Sequence, residues 1–71
     1  MNFEYKPLKV RIRRYYGNQV ELAKSINLSA TSLNMKLNNK RFFTQDEIMK
    51  MIDRLDIKKT EIKEYFFTLK V

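Results

Sequence analysis

The 71-residue sequence has no cysteine, no histidine and no tryptophan, and it has only one glycine and one proline. Without cysteine there can be no disulfide, no thiolate zinc site and no thiol nucleophile. Without histidine there is no imidazole base and no imidazole metal ligand. The remaining acids, Asp46, Glu47, Asp53, Asp56, Glu61 and Glu64, fall at helix caps or on outer helix faces. A domain this small is not expected to gather them into a pocket, so neither an enzyme nor a cofactor is expected. The longest apolar stretches are two or three residues, far from the ~18 that suggest a membrane span, and no signal-peptide pattern is present. The chain is expected to be soluble, with the reducing cytoplasm as its natural compartment. Its length allows one domain, 1–71, with a thin core that buries about 60% of the unfolded surface.

The charge is abundant and unevenly placed. The formal net charge is +7. Residues 1–16 carry Lys6, Lys9, Arg11, Arg13 and Arg14 against Glu4, and residues 17–43 carry Lys24, Lys36, Lys40 and Arg41 against Glu21. Residues 44–71 hold equal numbers of acids and bases. All the excess positive charge therefore lies in the first 43 residues. Such asymmetry favours a surface that faces a polyanion. A membrane surface is less suitable, because the basic segments lack a broad opposing face of large apolar residues.

Apolar periodicity predicts an all-α domain of five helices, at about 7–16, 19–26, 30–38, 45–55 and 59–67. Residues 1–6 form a leader in which Phe3 and Tyr5 alternate with polar residues, as in a brief strand or an extended arm. Pro7 suits a first helical turn, and Leu8, Ile12 and Tyr15/Tyr16 follow at helical spacing up to Gly17, which ends the helix. Arg11, Arg13 and Arg14 read as solvated or phosphate-facing. Asn38 to Arg41 is a polar loop whose Asn-Asn pair favours a left-handed turn. Phe42 and Phe43 follow it, and one or both are expected to pack back on the core. Thr44 and Glu47 are spaced as a capping box that starts the fourth helix, with Ile48, Met51, Ile52 and Leu55 on its inner face. Asp56-Ile57 repeats the pattern of Asn27-Leu28. Ile62, Tyr65 and Phe66 face inward from the last helix, and 68–71 form a tail or a strand.

The chain is organised around residues 18–38. Asn18 caps a short helix, with Glu21 completing a capping box. Leu22, Ala23 and Ile26 give that helix one apolar stripe. Asn27 stops it, since asparagine tolerates the left-handed conformation. Ser29 caps the next helix, whose inward residues are Leu33 and Leu37. The other positions, Ala30, Thr31, Ser32, Asn34 and Lys36, are mostly small or hydrogen-bonding. This stretch resembles the helix-turn-helix of the Cro/CI-type phage repressors, with Gln19, Ala23, Ile26, Leu28 and Leu33 as the matching positions. Asn27 stands where that family usually has glycine, Ala30 where it often has glutamine, and Met35 where a polar residue is common.

The resemblance implies a five-helix, repressor-type DNA-binding domain that places helix 30–38 in the major groove of double-stranded operator DNA. Ser29, Ala30, Thr31 and Asn34 would then meet base edges, with Asn34 paired to adenine and the methyl of Ala30 or Thr31 against thymine. Gln19, Lys36, Asn38, Lys40 and Arg41 would hold phosphates. Two copies would pair on DNA, through the neutral, aromatic C-terminal helix and tail, Tyr65, Phe66, Phe67 and Leu69, unless these residues simply close the core. The implied setting is a phage or prophage regulator in the bacterial host cytoplasm or nucleoid. The residues leave a second reading open. Val20 and Met35 are apolar where the motif commonly faces the duplex, and helix 30–38 carries one charge, Lys36. An anti-repressor that binds a partner repressor protein, or an antitoxin, would use such a face, with Val20, Met35, Tyr65 and Phe67 as partner contacts.

Overall fold

The computed structural model describes residues 2–71, and among them the chain forms five helices. They are α1 (Lys6–Tyr16), α2 (Gln19–Ser25), α3 (Ala30–Leu37), α4 (Gln45–Arg54) and α5 (Ile62–Phe66), the last preceded by a 3₁₀ turn at Lys59–Glu61. The expected all-α fold is what the chain adopts, with helix ends within a few residues of the expected ones. The main difference is at the last helix. Its first three residues wind as a 3₁₀ turn, held by Glu61, whose carboxylate accepts the N–H of Lys58 at 3.0 Å.

Each start has a local cause. Asn18 Oδ1 accepts the Glu21 N–H at 2.9 Å, and Ser29 Oγ accepts the Ser32 N–H at 3.0 Å. Thr44 and Glu47 form the full reciprocal box. The box expected at Asn18 is only half formed, because the Glu21 carboxylate turns to Lys24 at 3.5 Å. α1 lacks a side-chain cap on Tyr5; Glu4 instead accepts the N–H of Lys6 at 3.1 Å, one residue ahead of Pro7.

Three helices stop by one device. Asn27, Asn39 and Asp56 have φ of 59°, 62° and 53°. After each, the next N–H reaches back five residues: Leu28 to the Ala23 carbonyl (2.9 Å), Lys40 to Met35 (2.8 Å) and Ile57 to Ile52 (3.0 Å). This closure satisfies the last carbonyls of each helix and turns the chain sharply. Gly17 ends α1 at φ 82°, donating its N–H to the Arg13 carbonyl at 2.9 Å.

The turns direct one apolar face of every helix to a shared core. Leu8 and Ile12 from α1, Leu22 and Ala23 from α2, Leu33 and Leu37 from α3, Met51 from α4, and Tyr65 and Phe66 from α5 are buried together with Tyr5, Ile26, Leu55 and Ile57. Each large side chain removed from water contributes about 1.5–3 kcal/mol, which a 71-residue chain needs in full. α1 packs on α2 and α5, and α2 packs on α3.

The leader and the tail are joined. Phe3 and Leu69 form an antiparallel bridge, flanked by Glu4 N–H to Thr68 O (2.8 Å) and Lys70 N–H to Asn2 O (2.9 Å). On the other side of Phe3, the Asn39 amide pairs with its backbone, accepting its N–H at 2.8 Å and donating to its carbonyl at 3.0 Å. Phe3, Tyr5, Phe43, Phe66 and Phe67 close a circle of aromatic contacts, with successive centroids 5.5–6.5 Å apart. The leader is thus a fixed part of the fold, and the expected strand-like alternation at Phe3 and Tyr5 has its counterpart in the tail.

Candidate interaction surface

α2, the turn and α3 present one outward face. Along α3 the exposed residues are Thr31, Asn34 and Asn38, with Ala30, Ser32 and Met35 half-buried beside them. From α2, Val20 is 45% exposed, although it is a large apolar residue. Gln19 is half-buried and its amide has no hydrogen-bond partner among the described residues.

Lys36 is the one charged residue of α3, and the structure takes it away from this face. It is buried, at 7% exposure, and its Nζ lies 2.5 Å from both carboxylate oxygens of Glu47 on α4. The expectation that Lys36 holds a DNA phosphate is therefore corrected. At the third position after the buried Leu33, its stem runs over the core edge to the acid that opens α4. Burial alone would push the Glu47 carboxyl up. The Lys36 ammonium and the N–H and hydroxyl of Thr44 outweigh it and hold the carboxyl below its ordinary value. The outward face of α3 is left with no free cation.

The other expected DNA contacts are placed as follows. Ser29 is exposed, but its hydroxyl is engaged in the cap. Ala30 and Thr31 are accessible to different degrees, as above. Asn34 is exposed, and its Oδ1 accepts Asn38 Nδ2 at 3.1 Å, which leaves a second lone pair on that oxygen and its own Nδ2 unengaged. Asn38 Nδ2 also caps α3 through the Asn34 carbonyl at 2.9 Å. Lys40 and Arg41 are exposed and form no ion pair among the described residues.

Arg11 is a second cation that sequence reading placed outside. Its Nε donates to the Leu55 carbonyl at 2.9 Å and its Nη2 to the Asp56 carbonyl at 2.8 Å. The guanidinium lies 4.7 Å from the Tyr15 ring centroid and 5.7 Å from that of Tyr65. It caps the C-terminus of α4 from across the fold, where a cation complements the helix dipole.

Two further surfaces flank these. Between α1 and α2, Lys9, Ile12, Arg13, Gly17, Asn18 and Gln19 line a cleft of about 390 Å³. Between α4 and α5, Gln45, Ile48, Met49, Ile52, Ile62 and Phe67 line an apolar groove of about 290 Å³. Of the four expected partner contacts, Val20, Met35 and Phe67 are accessible. Tyr65 is not: it is buried in the core, with its hydroxyl near Arg11 Nη1 at 3.5 Å. Phe66 is likewise core, so any pairing through the C-terminus would fall to Phe67 and Leu69. Of Phe42 and Phe43, expected to send one or both back to the core, Phe43 is the one that does. Phe42 is 69% exposed, whereas Phe43 packs edge-on against Tyr5 and Phe66. Met49 is exposed as well, and its place off the Ile48–Met51–Ile52–Leu55 stripe was the available signal.

Among the described residues no helix is long and apolar enough to cross a membrane, and no cluster of three potential metal ligands occurs. The profile of a family described as "Protein of unknown function (DUF739)" matches residues 1–69. The solution structure of the modulator of repression (MOR) of the temperate bacteriophage TP901-1 from Lactococcus lactis is similar to this chain at a TM-score of 0.82 and 34% identity, covering 100% of this chain and 96% of that one. Among curated proteins none matches.

Proposed function

The chain belongs to the DUF739 family, and we propose that it is a phage regulator acting by protein–protein contact, a modulator that binds a repressor and covers its DNA-binding surface. In this reading α2 and α3 form a helix-turn-helix of the Cro/CI type that is turned to a protein. Val20, Thr31, Asn34 and Met35 make the contact. No catalysis and no cofactor take part.

The observation that carries this reading is the burial of Lys36 on Glu47. Affinity for duplex DNA comes largely from cations set against phosphates. A recognition helix whose one charge is neutralised inside the fold lacks that term, and it offers methyl, thioether and amide groups suited to a protein surface. The likeness to a phage modulator of repression supports the same reading.

The experiment is a displacement assay. A phage repressor is bound to its fluorescent operator DNA, and the chain is added. The proposal expects anisotropy to fall as repressor leaves the DNA, and expects Val20→Asp and Met35→Asp each to abolish that fall while the fold is kept. A chain that binds one duplex on its own, with strong sequence preference that Asn34→Ala removes, would sink it. Lys40 and Arg41, exposed and without ion-pair partners beside α3, favour that DNA-binding alternative.

A further inference from the structure

The cleft between α1 and α2 carries two cations, whereas the groove between α4 and α5 is lined by no charged residue. Lys9 and Arg13 stand one turn apart on α1 and line it together. Neither forms an ion pair among the described residues, and no acid lines the cleft. Like charges at this spacing work against a helix. Arg13 lies in the last turn of α1, where the helix dipole favours a cation, but no side-chain acid neutralises the pair. The floor is Ile12, which is 1% exposed, and an apolar floor strengthens any charge–charge contact made above it. The Gln19 amide, without an internal partner, adds a donor at the rim. At Gly17 an added Cβ would meet nothing within 4 Å, so the mouth is open on that side. Gln19 is followed by the exposed Val20, which puts the cleft at the α2 edge of the face that Val20, Thr31, Asn34 and Met35 share.

We infer that this cleft is the ionic part of the repressor contact and receives a carboxylate side chain, aspartate or glutamate, from the partner protein. The inference rests on the proposed function. Donors in a recess above an apolar floor suit an acid carried on a flexible stem. A duplex would present further phosphates along its wall, and α3 itself has no free cation to meet them; among the described residues only Lys40 and Arg41, past its end, are free there. The α3 face supplies area, and the charge contact at its edge fixes the orientation of docking.

The test measures affinity of the full chain for the phage repressor that the displacement assay identifies as its partner, by calorimetry, at low salt and at roughly 0.3 M salt, where screening is strong. Lys9→Gln/Arg13→Gln should weaken binding about tenfold at low salt and remove most of the salt dependence. Both residues are outside the core, and circular dichroism should show the variant folded. Lys9→Glu/Arg13→Glu should bind worse still, and a repressor variant with one surface acid changed to lysine should restore it. Val20→Asp should weaken binding alike at both salt concentrations. Wild-type affinity and salt dependence in Lys9→Gln/Arg13→Gln would overturn the cleft assignment alone. Loss of duplex binding in that variant, with repressor binding intact, would assign the cleft to a DNA phosphate instead. No repressor binding by the wild-type chain would overturn the cleft assignment and the proposed function together.

Discussion

Breaking the Lys36–Glu47 pair tests both the fold and the functional reading. The side chains are 9% and 14% exposed, so neither charge can recover full hydration when its partner is removed. Removing one member of a buried pair typically costs about 3–5 kcal/mol. The expected cost here is about 2–4 kcal/mol, because Glu47 keeps the Thr44 N–H at 2.9 Å and some contact with water. A 71-residue domain has roughly 4–10 kcal/mol in total. At roughly 4–8 °C per kcal/mol, Lys36→Met or Glu47→Gln should lower Tm by about 8–32 °C. Glutamine at 47 can still close the capping box with Thr44, so the cap is held constant. The double variant removes both charges and should fall within about 1–2 kcal/mol of wild type. Chemical unfolding followed by far-UV circular dichroism gives the four stabilities and the coupling between the sites. Repressor binding by the double variant should be unchanged. If the two effects simply add, and Lys36→Met melts like wild type while losing affinity for a duplex, the argument is wrong. Lys36 would then work outside, on a phosphate.

Four smaller predictions accompany it. The Glu47 carboxyl is lowered in the folded state from its ordinary 4.5, so its contribution is present above that value and lost as pH falls through the folded pKa; the Tm advantage of wild type over Glu47→Gln should shrink on acidification below about 4.5 and be unchanged from there to neutral. Asn27→Gly should be neutral or slightly stabilising, since only the left-handed backbone is served there, whereas Asn39→Gly should cost about 1–3 kcal/mol by unpairing the Phe3 backbone, as thermal melts of the two will show. Arg11→Lys should destabilise by about 1–2 kcal/mol in urea unfolding despite keeping the charge, because a lysine cannot span the Leu55 and Asp56 carbonyls and face the Tyr15 ring. Phe43→Ala should cost about 3 kcal/mol and Phe42→Ala less than about 0.5 kcal/mol, a contrast that equilibrium unfolding of the two variants measures directly.

Much of the candidate surface was legible before the structure. Val20 and Met35 stood out as apolar residues on a motif face, and both are accessible. Asn27, Asn39 and Asp56 were readable as stops because only short polar side chains and glycine tolerate left-handed backbone at low cost. The charge bookkeeping misled where it treated every cation alike. Of the nine lysines and arginines in the first 43 residues, Lys36 and Arg11 are turned inward. The two phenylalanines after the loop divided between core and solvent, which adjacency in sequence cannot express.

By itself, the sequence determined the helices, their caps and their stops, and with them the inward stripe of each helix. Those features depend on backbone preferences and on contacts within about one turn, so the residues that decide them are neighbours in the chain. Tertiary structure alone decided which charges are free. The partner of Lys36 is 11 residues away on another helix, and the carbonyls that hold Arg11 are 44 and 45 residues away. A long flexible side chain takes its direction from what the fold brings opposite it, and here that drew the one cation of α3 inward onto Glu47.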